Sequence, residues 1–176
     1  MSQQGSKKQC LDSKKGDDCL RFNLGCGKDI KPGFINLDHK GHGDGFIDLE
    51  KPLPFKDKST HEIVLRHTLE HITNRVQLME ECTRVLTEGG VLRVTLPSCG
   101  YVHMDHKVSV CPPFYMYKWF GGHILANPEI DYPFNCVEFR MKKRSVKSFF
   151  GNMFIRASTW ILSFFYGEYT WVLQRV

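Results

Sequence analysis

Gly25 and Gly27, with Cys26 between them, directly follow the apolar run "RFNL", and Asp38 closes the next such run, "FINLD". A strand that ends in Gly-x-Gly lets a ligand approach the backbone where any Cβ would collide. In an open α/β sheet the carboxyl ends of the strands border the ligand crevice. An acid ending the neighbouring strand stands where it can accept hydrogen bonds from the paired hydroxyls of a ribose. Gly25, Gly27 and Asp38 together describe a nucleoside site. A dinucleotide suits it poorly, because Ile30 occupies the position of the third fingerprint glycine and Asp38 follows well short of the usual spacing of about 20 residues. There is no GxxxxGK(S/T) phosphate loop.

A second group able to do chemistry is "RHTLEH" at 66–71, which supplies His67, Glu70 and His71 as candidates for proton transfer near neutral pH. On a strand-to-helix turn only one or two of them can face a single pocket. Glu70 and His71 are equally suited to orienting a neighbour or capping a helix. Cys99, His103, Asp105, His106 and Cys111 are of metal-ligating types, but their spacing matches no common zinc pattern. They read as a loop with surface histidines, and no metal site is expected.

These groups need elements to hold them. "CLRFNLG" reads as a buried strand running into glycine, "GFINLD" (33–38) as a second and "GFIDLE" (45–50) as a third. "KPLPFKDKS" is a loop, and "THEIVLRH" (60–67) a fourth strand. Val76, Met79, Cys82, Val85 and Leu86 recur at helical spacing across 74–86, with Thr73 or Asn74 as the N-cap and Gly89–Gly90 closing the helix. "VLRVTLPS" (91–98) is a near-continuously apolar fifth strand, as a doubly covered parallel strand is. Residues 99–140 read as irregular and 145–158 as a helix. "TWILSFF" and "EYTWVLQRV" read as a closing antiparallel hairpin.

The order "NLGCG", "PGFINLD", "IDLEKPLPF", "HEIVLRHTLEHI", "LMEECTRVLTEGGVLRVTLPS" closely resembles the class I S-adenosylmethionine-dependent methyltransferases, especially small members with an LEH segment and a RVLxxGG segment. The resemblance covers about residues 21–98. It implies an α/β, Rossmann-like class I methyltransferase fold, a mostly parallel sheet with an antiparallel C-terminal hairpin. It also implies S-adenosyl-L-methionine as cofactor, with S-adenosyl-L-homocysteine as product. By the same resemblance the cofactor-binding residues are Asn23, Gly25, Cys26, Gly27, Asp38, Asp48, Leu49 and His67. The glycines would flank the methionine portion and Asp38 the ribose. Asp48 would meet the adenine amino group, Leu49 would pack on the ring, and His67 would line the pocket near the sulfonium. Asn23 replaces the family's usual acid. The link from Gly27 to the second strand is too short for the usual crossover, so the first helix is expected to be missing or reduced to a turn.

Residues 1–18 read as a polar flexible tail and 19–176 as one domain, with 99–144 as a substrate or lid region rich in aromatics such as Tyr101, Tyr115 and Trp119. Seven scattered cysteines without a CxxC pair suit a reducing cytoplasm, and no secretory signal or membrane-spanning run is visible. The net charge of +5 includes the cluster Lys142–Lys143–Arg144. That cluster and the aromatic stretch to 167 are compatible with peripheral membrane contact. The expected acceptor is a small molecule or a saccharide. The alternatives are a non-catalytic cofactor-binding module and an RNA methyltransferase using the basic clusters, though no separate RNA-binding segment is visible. Oligomeric state is left open.

Overall fold

The computed structural model describes residues 20–97, 133–143 and 166–176. The tail, the proposed lid aromatics, the Cys99–Cys111 cluster, the helix expected at 145–158 and most of the membrane-facing stretch lie outside these residues.

Strand β1 (Arg21–Leu24) carries three buried residues in a row, as a strand covered on both faces must. β2 (Ile35–Asp38), β3 (Gly45–Phe46) and β4 (Thr60–Arg66) follow, then helix α1 (Arg75–Val85), β5 (Leu86–Pro97), β6 (Phe134–Lys143) and β7 (Tyr166–Arg175). They form one sheet in the order β3-β2-β1-β4-β5-β7-β6. The first five strands are mutually parallel, while β7 is antiparallel to both β5 and β6. The expected mixed α/β sheet is therefore present.

Two expectations need correction. The antiparallel C-terminal strands are β6 and β7, and 159–165, read as one arm of the closing hairpin, lies outside the described residues. The last part of the stretch read as irregular and assigned to the lid, 134–143, is strand β6. The reason is geometric: antiparallel pairing can recruit any segment that fits beside β7, however distant in sequence. The second correction concerns Gly89–Gly90. The helix ends at Val85 and the strand begins at once, so the two glycines lie inside β5, with Gly89 at φ +74°.

Helix α1 starts where Asn74 accepts a hydrogen bond from the Gln77 amide and Glu50 accepts from the amides of Thr73 and Asn74. Its buried side, Leu78, Met79, Cys82 and Val85, packs into one core with Phe22, Leu24, Ile63, Leu65, Leu92 and Leu96. Burial pushes the Cys82 thiol up to about 12, which leaves it a small apolar filler. Arg84 ties the 51–59 loop to this helix. Its guanidinium reaches Glu81 at 2.7 Å and Asp57 at 2.6 Å, and donates to the Phe55 and Leu53 carbonyls at 2.8 and 3.0 Å. A lysine has no planar fork to reach four acceptors. Arg84→Lys is expected to lower unfolding stability by about 1–2 kcal/mol in urea denaturation, the loss of one or two such bonds.

The β1–β2 crossover, residues 25–34, contains no helix. Turns at Cys26–Asp29 and Lys31–Phe34 replace it. Asn36, 3% exposed, holds these turns from β2. Its carbonyl oxygen accepts from Asn23 at 2.9 Å and from the Lys31 amide at 2.8 Å, and its amide nitrogen donates to the Phe34 carbonyl at 2.9 Å.

Candidate active site

The carboxyl ends of β1, β2 and β4 meet at the glycine turn. Gly25 and Gly27 both have left-handed backbone, at φ +69° and +50°. They do different work. A Cβ on Gly25 would lie 2.6 Å from both Cγ2 and Oγ1 of Thr68, so this glycine admits the chain that follows β4. A Cβ on Gly27 would meet nothing within 4 Å, so here the backbone faces open space. That is the position where a ligand can approach the chain closely.

The amides of Gly25 and Cys26 both donate to the Leu37 carbonyl, at 2.8 and 3.1 Å, which locks the turn onto β2. Asp38 completes the arrangement. Its Oδ2 accepts from the Gly27 amide at 3.0 Å and its Oδ1 from the Lys40 amide at 2.8 Å, with His42 Nδ1 3.5 Å away. Burial alone would raise this carboxyl, but the Lys40 and Gly27 amides and His42 outweigh it and hold Asp38 below the usual carboxylate range. An ionised carboxylate has roughly four lone-pair sites, so acceptor capacity remains for a ligand hydroxyl.

The structure brings Gly25, Cys26, Gly27 and Asp38 together as expected and changes the reading of two others. Asn23 is 1% exposed, and its amide nitrogen is spent on the Asp29 carbonyl and on Asn36. It holds the turn from beneath instead of facing a ligand. Leu49 is buried and belongs to the hydrophobic core, which occupies the side chain expected to cover an adenine ring. Asp48 sits beyond β3, half-buried, where Lys51 and the Glu50 amide hold its carboxyl below the usual range. Cys26 is buried, and burial with Asp38 nearby pushes its thiol up.

His67, directly after β4, lies in the left-handed region at φ +52°, a backbone state uncommon outside glycine. Its amide donates to the Thr95 carbonyl at 2.9 Å. Its Nδ1 lies 3.4 Å from Glu70 and its Nε2 3.3 Å from Glu168. The Glu70 contact raises the imidazole above its ordinary value, burial opposes this, and Glu168 adds to the rise. Glu70 is 2% exposed, and its Oε2 has no hydrogen-bond partner among the described residues. His71 ends the single 3-10 turn at Leu69–His71, with its amide bonded to the Thr68 carbonyl. Glu168 was missed in the sequence because it lies a hundred residues away by chain and reaches the site only through the antiparallel placement of β7. No group of side chains among the described residues is arranged to hold a metal.

Residues 23–94 match the family model for a methyltransferase domain. The match covers 72 of the 176 residues, under half of the chain, and likens that stretch to a methyltransferase domain. The matched stretch contains every residue of the glycine turn, Asp38 and His67. None of the curated proteins matches the sequence. Among solved structures, the domain is similar to an S-adenosylmethionine-dependent methyltransferase from Archaeoglobus fulgidus, at 14% identity and a TM-score of 0.58, over 89% of this chain and 86% of that one. It is similar to a Bacillus halodurans protein assigned to the methyltransferases, at 13% identity and TM-score 0.58, over 96% of both chains. The cyclase SpnF is also similar, at 12% identity and TM-score 0.55, over 89% of this chain and 74% of that one. At such identities the likeness establishes the shared fold. The open backbone face at Gly27 and the ionised Asp38 beside it fit a nucleoside-bearing cofactor.

Proposed function

We propose that this chain is a methyltransferase that transfers a methyl group from S-adenosylmethionine to a small-molecule or saccharide hydroxyl. The observation that carries the site reading is the Gly27 amide bonded to Asp38 across an open backbone face at the ends of β1 and β2. In this reading Gly27 borders the methionine portion, Asp38 accepts from the ribose hydroxyls and Asp48 lies toward the adenine. The cofactor supplies an electrophilic methyl group on a sulfonium. The chain's own task is alignment, because in-line displacement gains most from holding nucleophile, methyl carbon and leaving sulfur on one axis, worth roughly 7–11 kcal/mol at best. His67 lines the acceptor side, and Glu70 and His71 stand behind it on the 3-10 turn.

Calorimetric titration with S-adenosylmethionine and S-adenosylhomocysteine tests this. Wild type is expected to bind both, and Asp38→Ala to weaken binding by about 10- to 100-fold, the worth of a charge-assisted hydrogen bond. A folded wild-type protein that binds neither would overturn the proposal. A second reading, cofactor binding without turnover, draws on the helix-free crossover between β1 and β2. Undiminished affinity with no methyl transfer across sugar and small-metabolite acceptors would favour it.

A further inference from the structure

His67 is unusual on three independent counts: a strained backbone, a carboxylate at each ring nitrogen, and a place at the carboxyl end of β4 where the crevice opens. The two carboxylates come from different parts of the fold. Glu70 is buried on the turn that follows β4. Glu168 comes from β7, in register with Pro97 at the end of β5. Glu168 is itself held: Arg66 of β4 is 3.7 Å from Oε1 and Lys142 of β6 is 3.6 Å from Oε2. Arg66 is in turn 3.3 Å from Asp29 of the crossover. The charged groups facing the imidazole are therefore Glu70 and Glu168, with Arg66 and Lys142 behind Glu168.

We propose that Glu168 is a positioning residue of the methyl-transfer site: with Glu70 it clamps both ring nitrogens of His67 and fixes the imidazole as a doubly protonated donor. A neutral imidazole can donate from only one nitrogen, whereas two flanking carboxylates call for a donor at each. A histidine held this way does not take the acceptor's proton. It orients the rim of the crevice and presents a fixed positive centre there, and the clamp ties β7 to the end of β4. The proposal takes its functional meaning from the site reading above, but the clamp itself is a property of the folded chain without cofactor.

The sign of its pH dependence is fixed. The folded imidazole is raised above its unfolded value, so the clamp's contribution to stability is present in full below the unfolded value and is lost as pH rises through the folded one. The test is an NMR pH titration of the His67 Cε1–Hε1 signal on the full chain, assigned by comparison with His67→Gln. In wild type the midpoint is expected above the ordinary histidine value of about 6.5. In Glu168→Gln it is expected to move down toward that value. A folded Glu168→Gln protein whose His67 titrates as wild type would overturn the proposal. If Glu168→Gln does not fold, the wild-type titration still decides, since a midpoint at or below the ordinary value overturns it equally. Calorimetry on the same samples separates the two readings: absent S-adenosylmethionine binding with a raised His67 midpoint sinks the cofactor site and leaves the clamp standing.

Discussion

Asn36→Ala is expected to lower unfolding stability by about 4 kcal/mol, measured by urea denaturation followed by far-UV circular dichroism. The substitution removes one side chain from a site 3% exposed, but it strands several partners. The Asn23 amide loses its bond to Asn36, the Lys31 amide loses its acceptor, and the Phe34 carbonyl loses its donor. Each buried polar group left without a partner costs about 1–3 kcal/mol. Residues 25–34 contain no helix to supply its own ladder of hydrogen bonds, so the second half of the crossover leans on this side chain. Asp44 also meets Asn36: its Oδ2 accepts from the Asn36 backbone amide at 2.7 Å and from the side-chain amide at 3.2 Å. Only the backbone bond survives the change, and Asp44→Ala, which spares the bonds to Asn23, Lys31 and Phe34, should cost clearly less. A loss below about 1 kcal/mol for Asn36→Ala would mean that water replaces the side chain at no great penalty.

The second large effect is expected at Gly25. Gly25→Ala should cost about 3 kcal/mol, the sum of a left-handed alanine and a methyl group driven into Thr68. The added Cβ would lie 2.6 Å from two side-chain atoms of Thr68, far inside contact distance. Thr68 cannot turn away freely, because its hydroxyl donates to the Leu24 carbonyl at 3.2 Å. The double variant Gly25→Ala, Thr68→Ala relieves the collision and keeps the backbone strain, so the two changes should be less than additive in denaturation. Strict additivity would show that the collision contributes nothing. Gly27→Ala is the natural contrast, since its methyl group would enter open space and only the strain remains.

Much of this was legible in the sequence because local patterns carried it. Gly25, Gly27 and Asp38 announce a crevice through the conformational freedom of glycine and the alternation of two short strands, and the structure joins them directly through the Gly27–Asp38 bond. Helix α1 follows from the spacing of Met79, Cys82 and Val85 with Asn74 as cap. The shortened crossover follows from simple reach, since too few residues separate Gly27 from β2 for a helix.

The rest depended on pairings that sequence neighbours do not encode. In β6, Val137, Phe139 and Met141 alternate with Glu138 and Arg140, a period-two signal that was present but submerged in a stretch dense with aromatics and prolines. The glycines at 89–90 imitate a helix stop, yet the chain passes from helix to strand without a loop. Asn23 read as a ligand contact because its position aligns with one. Only the structure reveals that its amide points inward, at Asp29 and Asn36. Glu168 carried no local signal at all.

The placement of β7 bears on how the sheet assembles. This strand lies between β5 and β6 and joins β5 only after the whole of residues 98–167 has been brought round. Long-range antiparallel pairing of this kind must overcome the entropy of closing a large loop before its contacts give anything back, which slows the step. Until it docks, β5 presents an unpaired edge with Val91, Leu92 and Val94 along it, a template for association with another chain. Because Glu168 rides on the same strand, the environment of His67 is completed in that one event. The setting of His67 and the covering of the β5 edge therefore depend on one and the same strand.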